Sequence, residues 1–198
     1  MRDSETALLL CDLQNDFMHT NGAYGRAGLA APDITALAGR LQPLAEVARQ
    51  RGIWVVATLF TLVPGPGGAP LIAPHLRRLR PFLAHGDFLP GGWGQQLVAS
   101  LQPADATVEK IAYSAFYMSR LEWVLRHAGI TRLVVGGIVT NGGVAATVRD
   151  ALVREFSCVV LSDGCAAFTD SAHGAEIAAL RAACRVATIE EMIAEFSS

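Results

Sequence analysis

The chain is short of charge. Only 17% of its 198 residues are Asp, Glu, Lys or Arg, and the formal net charge is −2. A balance so close to neutral gives no electrostatic basis for holding nucleic acid or an acidic membrane surface, and neither is expected as a partner. No apolar run approaches the roughly 18 residues of a spanning helix, so no membrane span is expected. The opening residues, MRDSETALLLCDLQND, set acids beside a short apolar run, which is not the pattern of a secretory leader. A cytoplasmic location is the expectation. The four cysteines (Cys11, Cys158, Cys165, Cys184) show no C-x-x-C spacing and stand in apolar segments. They read as reduced core residues and not as a disulfide framework. Internal repeats and low-complexity segments are also missing, and no linker divides the chain, so residues 1–198 are read as one domain with a substantial core.

What the chain does have is alternation of short apolar runs with helix-length segments. ALLLCDL (Ala7–Leu13) is the nearly unbroken apolar run of a strand buried on both faces. A helix capped by Asp33 is predicted to run to about Gln50, closed by Gly52 and with Pro43 inside it as a point of kinking or splitting. IWVVATLF is the second strand, ATVEK (Ala106–Lys110) the third, RLVVGGI the fourth, CVVLSD the fifth and RVAT a short sixth. Between the second and third lies TLVPGPGGAPLIAP, too rich in Pro and Gly for either regular element and long for a connection in a compact domain. HLRRLRPFL is predicted as a short helix after it, and GGWGQQLVASL as a turn and another helix. Ser119 with Glu122, and Thr188 with Glu191, have capping-box spacing at the starts of two further helices. The remaining helices are predicted over Gly142–Glu155 and from about Asp170 to Ala183. Repeated strand–helix alternation implies a three-layer α/β/α, Rossmann-like fold around a mostly parallel six-stranded sheet.

In such sheets ligands bind beyond the carboxyl ends of the strands. The first strand delivers Asp12 there, the third Lys110, and the fourth the turn Asn141-Gly142-Gly143 that opens a helix. A buried carboxylate moves protons, an ammonium beside it keeps it ionised or shares its proton, and free N–H groups at 142–144 would stabilise a developing negative charge. Each residue alone also has an ordinary structural account as turn, solvated end or packing device. Their meeting at one sheet edge is what points to a site.

These segments resemble the isochorismatase-like hydrolases, a superfamily that includes cysteine amidohydrolases. The resemblance is carried by ALLLCDLQNDF, PGGWGQQLV, VEKIAYSAF, GGIVTNGGVAATVRDA and LSDGCAAFTDSAHGAEI, in that order over most of the chain. It implies Asp12 as general acid/base, Lys110 as its partner, and a non-proline cis peptide between Val139 and Thr140. It places the family's nucleophilic cysteine at position 143, where this chain has glycine. A thioester through that position is therefore excluded. Phe17, Trp93, Tyr113 and Phe116 fall on motifs near the site and are candidate substrate-binding residues, with Val139, Thr140 and Gly142; Trp93 reads equally as core. Cys165, after the fifth strand, is the thiol placed to approach the site.

The resemblance leaves several functions open. True isochorismatases carry glycine at this position and hydrolyse a vinyl ether by protonating it from the Asp, so a small carboxylated vinyl ether is the first expectation. YSAFYMS and AAFTDSAH lean that way, whereas GIVTN and PGGWGQQ lean to the amidohydrolases. The alternatives are an amidohydrolase-derived binding protein or pseudoenzyme, of N-carbamoyl or ureido type, and an amidohydrolase whose nucleophile has been replaced by engineering. Nicotinamidase members bind metal through D-x-H…H after the second strand; here that region holds only His75 and no acid, so neither metal nor other cofactor is expected. His173 reads as a surface or supporting residue. One of Arg77, Arg78 and Arg80 would hold a substrate carboxylate, or all three cover the outer face of a helix. The expected partner is a small-molecule substrate, and family habit suggests a homodimer or homotetramer.

Overall fold

A computed structural model describes residues 3–198. In chain order the regular elements are β1 (Thr6–Cys11), α1 (Asn15–Met18), α2 (Ala23–Arg26), α3 (Pro32–Gln50), β2 (Trp54–Phe60), α4 (Pro74–Leu79), β3 (Ala106–Lys110), α5 (Leu121–His127), β4 (Arg132–Ile138), α6 (Ala145–Val153), β5 (Ser157–Ala166), α7 (Asp170–Leu180), β6 (Arg185–Ala187) and α8 (Ile189–Ser197). The strands form one sheet in the order β3-β2-β1-β4-β5-β6, every adjacent pair parallel.

Strand periodicity explains the three layers. Leu8 and Leu10 of β1 point to one side, where they meet Leu37 and Leu41 of α3 and Met192 and Phe196 of α8. Ala7, Leu9 and Cys11 point to the other, against Leu121 and Leu125 of α5, Val148 of α6 and Leu180 of α7. All six β1 residues are buried, because helices cover both faces, and this is why the strand reads as unbroken hydrophobicity. Truncating a leucine at this depth, such as Leu9→Ala, costs about 2–5 kcal/mol.

Several local expectations are corrected by their surroundings. Thr188 and Glu191 do form the reciprocal capping box of α8. Ser119 and Glu122 do not: α5 begins at Leu121 with Arg120 as its N-cap. Ser119 Oγ instead accepts from Leu121 N and donates to Ala115 O, and Glu122 pairs with Arg126 and Arg154. α3 begins at Pro32 with Ala31 as N-cap, so Asp33 serves the first turn and not the cap, and the helix runs on through Pro43. GGWGQQLVASL gives two short 3₁₀ turns, Trp93–Gln95 and Ala99–Leu101. The predicted Gly142–Glu155 helix is two pieces, a wide π-helical turn over Thr140–Val144 and then α6.

β1 and β4 lie side by side although they are far apart in sequence, so the strand order reverses direction between them. That switch point opens a crevice at the carboxyl ends, where ligands bind in open α/β sheets. Close approach of the two strands demands glycine at 137: a Cβ there would stand 2.2 Å from Cys11 O, at φ +133°.

Candidate active site

Asp12 is the first residue past β1. Its backbone turns into the left-handed region (φ 57°), a conformation uncommon outside glycine, and its N–H donates to Thr58 O at 3.1 Å. The side chain is buried, 4% exposed, facing the ends of β2 and β3. Oδ2 lies 2.7 Å from Lys110 Nζ, and Oδ1 accepts from Thr58 Oγ1 at 3.0 Å. Lys110, the last residue of β3 and equally buried, also donates to Ala112 O at 3.1 Å and Tyr113 O at 2.9 Å. Three acceptors satisfy the full donor complement of an ammonium group. Burial pushes the Asp12 carboxyl above its usual range, while the charge and hydrogen bond of Lys110 and the Thr58 hydroxyl pull against it.

Gly143 completes the group. A Cβ at this position would stand 3.1 Å from Asp12 Oδ2, 3.1 Å from Ile138 O and 3.3 Å from Lys110 Nζ. With no side chain there, the pair faces a cavity of about 30 Å³, also bordered by Phe17, Phe60, Arg80 and Tyr113. That volume holds a water or two.

Of the residues singled out from sequence, Asp12, Lys110, Gly143, Phe17, Tyr113 and Val139 meet at this cavity, and Gly142 borders the wider cleft outside it. Thr140 is fully buried behind the turn, its hydroxyl 2.8 Å from His173 Nδ1, so His173 braces the turn from α7. Trp93 lies elsewhere. It is half exposed beside α1, its carbonyl accepting from Asn15 Nδ2 and its ring edge-on to His19. Phe116 packs in the core on the far side of the sheet against Phe156, with the Arg154 guanidinium over its ring. The cis peptide is Ile138–Val139, one bond earlier than expected, at the residue where β4 ends. The amides at 142–144 are not all free: Gly142 and Val144 N–H both donate to Val139 O, as the wide turn dictates.

The thiols stand apart from the cavity. Cys11 and Cys165 are buried in the core on the α5–α7 side, and burial pushes both up, Cys165 to about 12. Of the three clustered arginines, Arg80 is the one at the cavity; Arg77 donates to Pro70 O. Among the described residues no three His, Cys, Asp or Glu side chains gather as metal ligands.

Other residues were not singled out from sequence. Buried Gln14 accepts from Phe60 N and donates to Phe60 O and Gln95 O, locking the end of β2. Asp16 accepts from Ala23 N and Phe88 N. Both belong to the D-x-Q-x-D-F run around Asp12, and a buried Gln and Asp two and four residues on were the available signal. A plainer one was missed as well: Lys110 is the only lysine in the chain.

Comparison with known proteins places the sequence and the fold in a family. A family model described as the isochorismatase domain matches residues 6–191. Ureidoacrylate amidohydrolase RutB of Pseudomonas syringae pv. syringae is 35% identical over 174 residues, covering 82% of this chain and 71% of that protein. A cysteine hydrolase from Pseudomonas syringae pv. phaseolicola superposes with a TM-score of 0.85 over all of this chain and 94% of that one; at 24% identity it shows the fold. N-carbamoylsarcosine amidase from Thermoplasma acidophilum is 26% identical, with a TM-score of 0.73 over 94% of this chain and 97% of that one. By sequence and by fold, the chain belongs to the isochorismatase family.

Proposed function

We propose that the chain is a hydrolase of small amides or ureido compounds that works without a covalent protein intermediate. The observation that carries this reading is the bare Cα of Gly143 set directly against the Asp12–Lys110 pair. Asp12 takes a proton from a water in the cavity as the water oxygen attacks the substrate carbonyl carbon. The same carboxyl returns the proton to the leaving nitrogen as the C–N bond breaks. Lys110 fixes the carboxylate and offsets its charge. A carboxyl raised by burial is a better base than an exposed one, because its pKa lies nearer the working pH. Similarity to ureidoacrylate amidohydrolases and to N-carbamoylsarcosine amidase supports an amide-type substrate. The four buried or partly buried cysteines supply no nucleophile at the cavity.

The same raised carboxyl favours a second reading, protonation of a vinyl ether such as isochorismate by neutral Asp12, with water attacking the resulting oxocarbenium ion. The two readings differ in sign with pH. Base catalysis on an amide rises as Asp12 ionises, whereas acid catalysis on an enol ether falls through the same range. The test is to give the purified chain ureidoacrylate, simple N-carbamoyl acids and isochorismate, reading ammonia and pyruvate, with Asp12→Asn as control. Ammonia release that disappears in the control supports the first reading, and pyruvate release that disappears supports the second. Turnover that survives Asp12→Asn contradicts both.

A further inference from the structure

Outside the small cavity a cleft of about 920 Å³ opens to solvent, and the two share Arg80, Tyr113 and Val139. That size suits a whole small-molecule ligand, well beyond the reacting group alone. The composition of its walls is one-sided. They carry two guanidiniums, Arg80 and Arg149, and four aromatic rings, but no carboxylate. Arg149 is half exposed and held by Glu176 at 2.6 Å. Arg80 is different. Its Nε donates to the hydroxyl of Tyr24, a neutral partner, and among the described residues no carboxylate lies within ion-pair distance of it. Tyr24 is itself fixed, its ring parallel to Phe168 at 5.3 Å and edge-on to Phe82 at 4.9 Å.

We propose that this cleft is a second binding subsite, for a carboxylate carried on a flat apolar body. With Nε engaged by Tyr24, the two Nη groups of Arg80 remain as a fork that matches a carboxylate edge. Its place between cleft and cavity sets the anion beside the entrance to Asp12. The body of the ligand then lies along the Tyr24–Phe168 wall. Charge complementarity decides the class of occupant: a cleft whose walls hold one cation without a carboxylate partner, Arg80, and no acid disfavours a cationic ligand and gains little from a neutral one. The inference rests on the reading of Asp12 as the reacting centre only in assigning the subsite to substrate, and binding tests it without turnover.

The experiment is calorimetric titration of 3-phenylpropionate and its neutral isostere 3-phenylpropionamide into the wild-type chain, Arg80→Gln, Arg80→Lys, Arg149→Gln and Asp12→Asn. Each variant is first shown to unfold at the wild-type temperature. The acid is expected to bind roughly ten- to a hundredfold tighter than the amide, as for a hydrogen-bonded charge. Arg80→Gln should erase that preference and Arg80→Lys should keep part of it, while Arg149→Gln and Asp12→Asn leave most of it. Equal binding of acid and amide, or a preference that survives Arg80→Gln, overturns the proposal. So does failure of either compound to bind while sedimentation shows a dimer that Arg80→Gln disperses, since a second copy would then cover the cleft. Binding as expected with no hydrolysis of any substrate would overturn the proposed reaction and leave the subsite standing.

Discussion

The sheet holds an ion pair at each end, one buried and one with a partly exposed carboxylate, and the two are built differently. At the carboxyl end Asp12 meets Lys110 at 2.7 Å, both side chains almost fully buried. At the amino end Arg132 meets Glu195 of α8 at 2.8 Å, and Arg185 holds the other oxygen of Glu195 at 2.7 Å. Burial pushes both carboxyls up. For Glu195 the bonds from Arg185 and Arg132 outweigh burial and hold it below its usual range, whereas for Asp12 burial prevails and the carboxyl is raised. One pair is over-supplied with cation and fastens the terminal helix to the sheet. The other has one cation whose remaining donors are committed to Ala112 and Tyr113, and it fronts a cavity. A carboxylate flanked by two cations at the protein surface is held ionised and stabilises; one buried beside a single cation and facing a cavity is available to move a proton.

The sharpest break of this contrast is Asp12→Asn, which keeps the shape and removes the titration. We expect turnover to fall by about 10²–10⁴, the usual contribution of a positioned acid or base, with the circular dichroism spectrum unchanged. Glu195→Gln should leave kcat/KM untouched. Next in size, Lys110→Ala leaves Asp12 buried without its cation and should cost about 3–5 kcal/mol in urea unfolding. Adding Asp12→Asn to it should return part of that loss, since the two residues act on one another. Glu195→Gln should cost about 1–3 kcal/mol, because the charge-assisted bond from Arg185 and the ion pair with Arg132 are lost.

The pairs should also part in their response to pH. The Glu195 contribution is present above the ordinary glutamate pKa and is lost as pH falls through its depressed value, so Glu195→Gln should flatten the acid limb of the stability curve. Asp12 runs the other way. Its contribution is full below the ordinary aspartate pKa and is lost as pH rises through the raised value, so Asp12→Asn should gain stability relative to wild type on that rise. Unfolding by urea across the acid range checks both signs. The smallest effect lies at neither pair: Thr188→Ala removes the α8 capping box and should cost about 1 kcal/mol without touching the Asp12 site.

Much of this contrast was legible in the sequence at one end and little at the other. Asp12, Lys110 and Gly143 stand at strand ends, and parallel strands bring such ends together whatever the details of packing. The unbroken apolar β1 and the alternation of elements gave the sheet for the same reason. The Arg132–Glu195 pair joins residues far apart in sequence through the seating of α8, which no local pattern encodes. Trp93 and Phe116 show a related limit: a motif marks a neighbourhood, but which face a side chain takes depends on turns a residue or two long. Ser119 met the spacing of a cap and was passed over when α5 began at Leu121. Arg80 was one of three candidates, and only the end of α4 decided which of them meets the cavity.

The central claim is hydrolysis that depends on Asp12 and leaves no group on the protein. It is tested most directly by quenching the chain with acid during steady turnover of an N-carbamoyl acid and weighing it intact, beside Asp12→Asn. The account requires ammonia release by the wild-type chain at its unmodified mass, and no release by the variant. An acylated mass in the wild-type chain, or undiminished release by Asp12→Asn, would contradict it.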